Sequence, residues 1–258
     1  MNEFLNQLFM KKSLFIFAFA MTLPFWAKSQ YYNYAPNTLN IPCFAQKGDA
    51  GITIGWGRGD AFQALELQGV YSPLPHLAVM ANYFSARISA VRTFADQGTD
   101  SYFWEAGLGA YEQMPKGSAS LFAGYGAGSL FSNYQPGAND LNSTLGLRRW
   151  FLQPGLAYRS NFFQAALALR LSRLDYSRGE VSFSIESPYL DYIRNVENDA
   201  PFFLPELGLQ AGIRIKPITV SLSITSVFPN TDNLNFARLN ANLSVGIGFS
   251  TGRKKGDK

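Results

Sequence analysis

Cysteine and histidine are almost missing from this chain: Cys43 and His76 are the only ones in 258 residues. One cysteine excludes an intrachain disulfide, and the Cys/His cluster that zinc prefers is absent. No metal or cofactor site is expected. Charge is also scarce, at 16% of residues and a net +4. A balance that small gives no argument for nucleic acid as a partner. No Pro/Ser-rich linker or charge block divides the chain, so one domain is expected.

The one sustained apolar run lies near the start. Met10, Lys11 and Lys12 precede apolar Ser13 to Phe25, and Ala27, Lys28 and Ser29 follow. A basic start, a short apolar stretch and small residues predict a secretory signal peptide over 1–29, cut before Gln30, with translation starting at Met10 as an alternative. The stretch is short for a helix that crosses a bilayer, which takes about 20 residues. Removing it takes Lys11, Lys12, Lys28 and Glu3 with it and leaves 19 basic against 17 acidic residues. Part of the remaining basicity sits in the tail, 250–258.

Between Asp49 and Phe249, ten stretches alternate apolar and polar residues. In the first, Ala50, Ile52, Ile54 and Trp56 oppose Gly51, Thr53 and Gly55. In the last, Leu239, Ala241, Leu243, Val245, Ile247 and Phe249 oppose Asn240, Asn242, Ser244, Gly246 and Gly248. A period of two places successive side chains on opposite faces of a strand, whereas a helical period would scatter them. Stretches of roughly 9–13 residues match a tilted strand crossing a membrane. The gaps alternate too. Pro73–Leu74–Pro75–His76, Met114–Pro115–Lys116–Gly117, Ser160–Asn161 and Lys216–Pro217 read as tight turns. Most of the other gaps are longer. The fold class expected is an all-β, antiparallel up-and-down transmembrane barrel over 49–249. About ten strands are expected, with eight or twelve as alternatives.

An even strand count puts both termini on the rim of tight turns, the periplasmic side of an outer-membrane barrel. Residues 30–48 are then expected as a periplasmic N-terminal segment. Aromatics fall into two bands on the apolar parity. Trp56, Tyr83, Tyr102, Trp104, Trp150 and Phe228 lie near the loop rim; Tyr71, Tyr158, Phe163 and Phe249 lie near the turn rim. Amphipathic rings at both headgroup levels are what a lipid-facing wall requires.

The polar parity carries Glu66, Glu105, Glu206, Arg149, Arg170 and Arg214. Isolated charges in a narrow lumen are costly, so these six are expected to pair. The main expectation for them is structural pairing; a polar permeation path is the alternative. A barrel of about ten strands is slightly wider than side chains can just fill, so a mostly plugged interior with some water is expected. The long loop after the seventh stretch mixes acidic and aromatic residues, and Glu186, Tyr189, Asp191, Tyr192 and Glu197 are the candidates there for contact with a partner. Gly124, Gly126 and Gly128 share the lumen parity with no helix after them, so they do not make a phosphate loop.

The chain resembles the small outer-membrane β-barrel proteins of Bacteroidota. The resemblance is carried by Ile41–Pro42, Lys47–Gly48–Asp49, Leu67–Gln68, Tyr71–Ser72–Pro73 and His76–Leu77–Ala78–Val79–Met80–Ala81–Asn82–Tyr83. It covers about the first third of the chain and implies a fold and a membrane, without an activity or site residues. Several of the look-alikes carry a lipoprotein cysteine where this chain has Gln30.

Three functional classes follow in order. The first is a structural or interaction barrel in the outer membrane, with lipid around it and other outer-membrane or periplasmic proteins as partners through its loops. The second is a narrow, porin-like channel for a small or hydrophobic solute. The third is a rim enzyme acting on lipid or peptide. It ranks last because the lone histidine falls in a turn at the rim opposite the long loops, where histidine-dependent acyl transfer at that surface would not find it.

Overall fold

The computed structural model describes residues 34–59, 62–89, 98–134, 141–177, 181–182, 195–196, 198–228 and 236–250. Each alternating stretch forms a strand. In chain order they are β1 (Asp49–Gly59), β2 (Phe62–Leu74), β3 (Leu77–Ser89), β4 (Gly98–Met114), β5 (Gly117–Tyr134), β6 (Leu141–Arg159), β7 (Phe163–Ser177), the two-residue β8 (Val181–Ser182), β9 (Phe202–Ile215), β10 (Ile218–Val227) and β11 (Leu239–Ser250). Neighbours pair antiparallel around a closed ring that omits only β8. The ring closes where β1 meets β11, in register from Asp49 opposite Ser250 to Gly59 opposite Asn240. Closure leaves none of the ten ring strands as an edge strand. β8 pairs with the loop end of β6. The fold is therefore a closed antiparallel barrel of ten strands among the described residues.

The two faces separate as the alternation requires. Leu167, Leu209 and Val245 are exposed on the outside, whereas Glu105 and Arg170 are at most 1% exposed. All ten aromatics assigned to the two interface bands are exposed. Part of the upper band is a ladder across four strands. Tyr83 faces Trp104 in register, Trp104 meets Tyr125 edge-on at 6.2 Å, and Tyr125 meets Trp150 at 4.7 Å. An outer wall of this composition is stable in hydrocarbon and not in water.

The turn rim uses the connections read from sequence: Pro75–His76, Pro115–Lys116, 160–162 and Lys216–Pro217. His76 has φ 63°, a left-handed conformation that a β-branched side chain strongly resists. His76→Gly is expected to leave stability about equal, and His76→Val to lower it by about 1–2 kcal/mol. The midpoint of urea unfolding, followed by tryptophan emission, reads the difference.

The lumen holds three layers. Toward the loop rim is an apolar layer that includes Phe62, Phe84, Phe103, Leu145, Phe202 and Leu204. A belt of charged and amide side chains follows. Below it, Phe44, Met80, Tyr111, Phe122 and Phe151 form a second apolar cluster toward the turn rim. The phenylalanines share the parity read as polar, so the inner face is far more apolar than the alternation alone implied.

The structure departs most from the sequence reading in residues 30–48. Expected outside the barrel, the described part from Tyr34 to Phe44 runs inside it. Tyr34 sits at the loop rim, bridged in parallel to Phe236, with its carbonyl accepting from the Ala237 amide at 3.0 Å. Phe44 lies in the cluster near the turn rim. Ten extended residue steps cover roughly 33 Å, about one hydrocarbon thickness. The strand ends Asp49 and Ser250 share the turn rim, and the described segment reaches β1 by descending the axis. The physical reason is a width mismatch. Ten strands enclose more space than their own side chains fill, and one extended segment occupies much of the remainder.

Candidate functional site

The segment Tyr34–Ala35–Pro36–Asn37–Thr38–Leu39–Asn40–Ile41–Pro42 suits this path. Pro36 and Pro42 favour extended backbone in themselves and in the residues before them. A chain with no strand partner must satisfy its polar groups through side chains, and this one brings Asn37, Thr38 and Asn40. All three are buried.

Four wall residues and Asn37 form the centre. Arg170 on β7 faces Glu206 on β9 in direct register, and its Nε donates to Glu206 Oε2. Arg170 Nη1 reaches Glu105 Oε1 at 3.2 Å. Arg149 Nη2 donates to Glu105 Oε2 and lies near Glu206 through Nη1, at 3.9 Å. Two cations and two anions thus alternate, and the quartet is neutral. Asn37 sits between them. Its Oδ1 accepts from Arg149 at 2.8 Å and from Arg170 at 2.9 Å, while Nδ2 donates to Glu105 at 3.0 Å. Tyr34 closes the upper side, donating its hydroxyl to Glu206 Oε1 at 2.8 Å and accepting from Arg149. The Arg149 guanidinium also stacks over Phe103, 4.4 Å from the ring centroid, which adds a cation–π contact in a dry setting.

Glu66 stands apart from this quartet and has no cation within 4 Å among the described residues. Its carboxylate accepts from the Thr38 amide at 3.1 Å to both oxygens, from the Thr38 hydroxyl and from Asn240 Nδ2 at 2.8 Å. A buried carboxylate with several donors is satisfied without an opposite charge. Its role is to grip the threaded segment. Asn82 extends the belt, donating to Glu105 at 2.7 Å and accepting from Asn40 at 2.7 Å. Gln153 donates to the Asn40 carbonyl at 2.7 Å, and the Leu39 amide donates to Thr225 Oγ1 at 3.3 Å. Glycine makes room: a Cβ on Gly208 would lie 2.9 Å from the Leu39 Cβ.

Of the six residues read as one network, Glu105, Arg149, Arg170 and Glu206 are brought together. Glu66 joins through Thr38 instead of through an arginine. Arg214 is a correction. It lies near the turn rim, half-buried, and takes no part in the belt. Its position eight residues beyond Glu206 on β9 is the reason: the strand carries it a full belt-height lower. Glu186, Tyr189, Asp191, Tyr192 and Glu197 lie outside the described residues. Among the described residues no group of three or more His, Cys, Asp or Glu side chains converges as a metal site. The residues missed by sequence reasoning were Tyr34, Asn37, Thr38, Asn40, Asn82, Gln153 and Asn240. The available signal was three hydrogen-bonding side chains between two prolines just before the first strand.

A closed antiparallel barrel with an apolar, aromatic-banded exterior and a polar belt inside defines an outer-membrane-type β-barrel. No family model matches the chain, and no curated protein matches it. Similar solved structures include the N-terminal β-barrel domain of Pseudomonas aeruginosa OprF, at 10% identity and TM-score 0.35, over 80% of this chain and 100% of that one. The translocator domain of the autotransporter NalP from Neisseria meningitidis matches at 10% identity and TM-score 0.42, over 78% and 86%. The β domain of the Bordetella autotransporter BrkA matches at 13% identity and TM-score 0.42, over 80% and 100%. These are likenesses of overall shape.

Proposed function

We propose that this chain is a non-enzymatic outer-membrane barrel, closed by its own N-terminal segment, that serves the envelope by structure and interaction. It belongs on this reading with the small Bacteroidota barrels that its first third resembles, with the turn rim toward the periplasm. The observation that carries the reading is the occupied axis. Tyr34, Asn37 and Thr38 supply hydrogen bonds to wall residues that are themselves almost wholly buried, so the segment is part of the core and not a loosely held lid. A quartet whose charges are paired with one another, beside a Glu66 held by several donors, gives an ion no stepwise path of exchangeable sites. Glu186, Tyr189, Asp191, Tyr192 and Glu197, in the sequence between β7 and β9, are the residues this reading assigns to contact with protein partners.

Planar bilayers test it. The full-length protein is expected to insert without unitary currents. A chain in which 34–45 is replaced by a Gly/Ser linker is expected to conduct. Steady channels from the full-length protein would move the reading to the narrow-channel alternative.

A further inference from the structure

Below the belt the lumen is not filled. Between the threaded segment and β1, β2, β6, β7, β9, β10 and β11 lies a cup of about 610 Å³ that opens at the turn rim. That volume is within the range of sites for small organic ligands. Its walls carry three basic side chains, Arg159, Arg214 and Lys216, against one acidic side chain, Asp49. Asp49 is already engaged, with Oδ2 accepting from the Ala45 amide at 2.6 Å and the Gln46 amide at 3.1 Å.

The basic groups are uncompensated. Among the described residues no carboxylate lies within 4 Å of Arg159, Arg214 or Lys216. Arg159 spends Nη1 on the Cys43 carbonyl at 3.2 Å. Arg159 and Arg214 line the same cup. The strand registers explain why they meet. Arg159 on β6 faces Gln164 on β7, and Gln164 faces Gly212 on β9, two residues from Arg214. Gln210, on the same inward parity, donates to Ser221 Oγ at 3.2 Å and keeps its carbonyl oxygen for another group.

Two guanidiniums that line one partly enclosed space, with no carboxylate paired to either among the described residues, form a site for an oxyanion. We infer that this cup binds a small organic anion from the turn side, with a phosphate or carboxylate group between Arg159 and Arg214 and a polar body against Gln164 and Gln210. The inference goes beyond the closed-barrel reading: a blocked axis and an occupied cup are compatible, and each is tested separately.

The chain supplies its own reporter, because Cys43, its single cysteine, lines the same cup. In the detergent-solubilised full-length protein, an anion-concentrating cup speeds alkylation by iodoacetate relative to iodoacetamide. Compared with the same ratio for free cysteine, a rise of about tenfold is expected. Inorganic phosphate and citrate are expected to slow both reagents, and spermidine to have no such effect. Arg159→Gln and Arg214→Gln are each expected to return the ratio toward that of free cysteine, while Arg214→Lys retains part of it. Lys216→Glu changes an exposed side chain at the mouth and is expected to lower the ratio, with folding checked by heat-modifiable migration. Calorimetric titration with citrate provides a readout that does not need the thiol. A free-cysteine ratio in the unmodified protein, an unchanged ratio in the arginine variants, or no heat with citrate would overturn the site.

Discussion

Replacing Arg170 with methionine lowers the unfolding free energy of the barrel by about 3–5 kcal/mol. The size follows from what Arg170 holds. Its Nε and Nη1 serve two different carboxylates, Glu206 and Glu105, and Nη2 serves Asn37 at 2.9 Å. Methionine fills similar volume, so cavity formation adds little. The cost lies in two buried carboxylates that lose a cation where water does not replace it. Glu206 keeps Tyr34 and Ser172 as donors, and Glu105 keeps Arg149, Asn37 and Asn82. The barrel therefore still folds, with a lower urea midpoint on heat-modifiable gels. Arg170→Met combined with Glu206→Leu is expected to recover part of the loss, because it removes one stranded anion together with its partner. A single-variant loss under about 1 kcal/mol would mean that water reaches the belt and screens it.

The second large effect is steric and reaches the threaded segment from the wall. At Gly208 a bare Cβ would already stand 2.9 Å from the Leu39 Cβ and 3.1 Å from its Cδ2. Valine adds two methyl groups toward a segment held above by Glu66 and Asn37 and below by the cluster around Phe44. With no slack in either direction, Gly208→Val costs at least the about 1–3 kcal/mol typical of overpacking. It also moves the segment off the axis, which appears as faster alkylation of Cys43 and as bilayer conductance. Leu39→Gly removes the Cβ that the new side chain meets first together with the branch beyond it, and is expected to return both measures toward those of the starting protein. An additive double variant would show that Leu39 and Gly208 do not press on each other in solution.

The wall was open to reading because its cause is local. The Leu/Ser alternation of β10 and the Leu/Asn/Gly alternation of β11 are imposed by lipid on one side and lumen on the other, residue by residue. The four tight turns announce themselves through Pro, Gly and Asn. The belt was half legible. Charges of opposite sign on one parity had to find partners, but parity says which face a residue takes and not at what height, so Arg214 was placed with neighbours it does not have. Tyr34–Phe44 was not legible as a plug. It has no period, because it belongs to no sheet. Its partners lie far along the chain: Tyr34 and Glu206 are 172 residues apart, and Asn37 and Arg170 are 133 apart. The inward phenylalanines were hidden for a related reason. Where the segment packs against the wall the lumen is as dry as a core, so apolar side chains on both parities blur the alternation that would separate them.

The ring is sealed by its first and last staves, Asp49–Gly59 and Leu239–Ser250, and residues 34–44, which precede the first stave, lie within the finished ring. While that seam is unzipped, the leading tail is laid down sideways in an open trough. Once it is zipped, the tail has to pass lengthwise through a hole already crowded with rings and guanidiniums. The order of assembly is thereby written into connectivity: curl around the tail first, fasten afterwards.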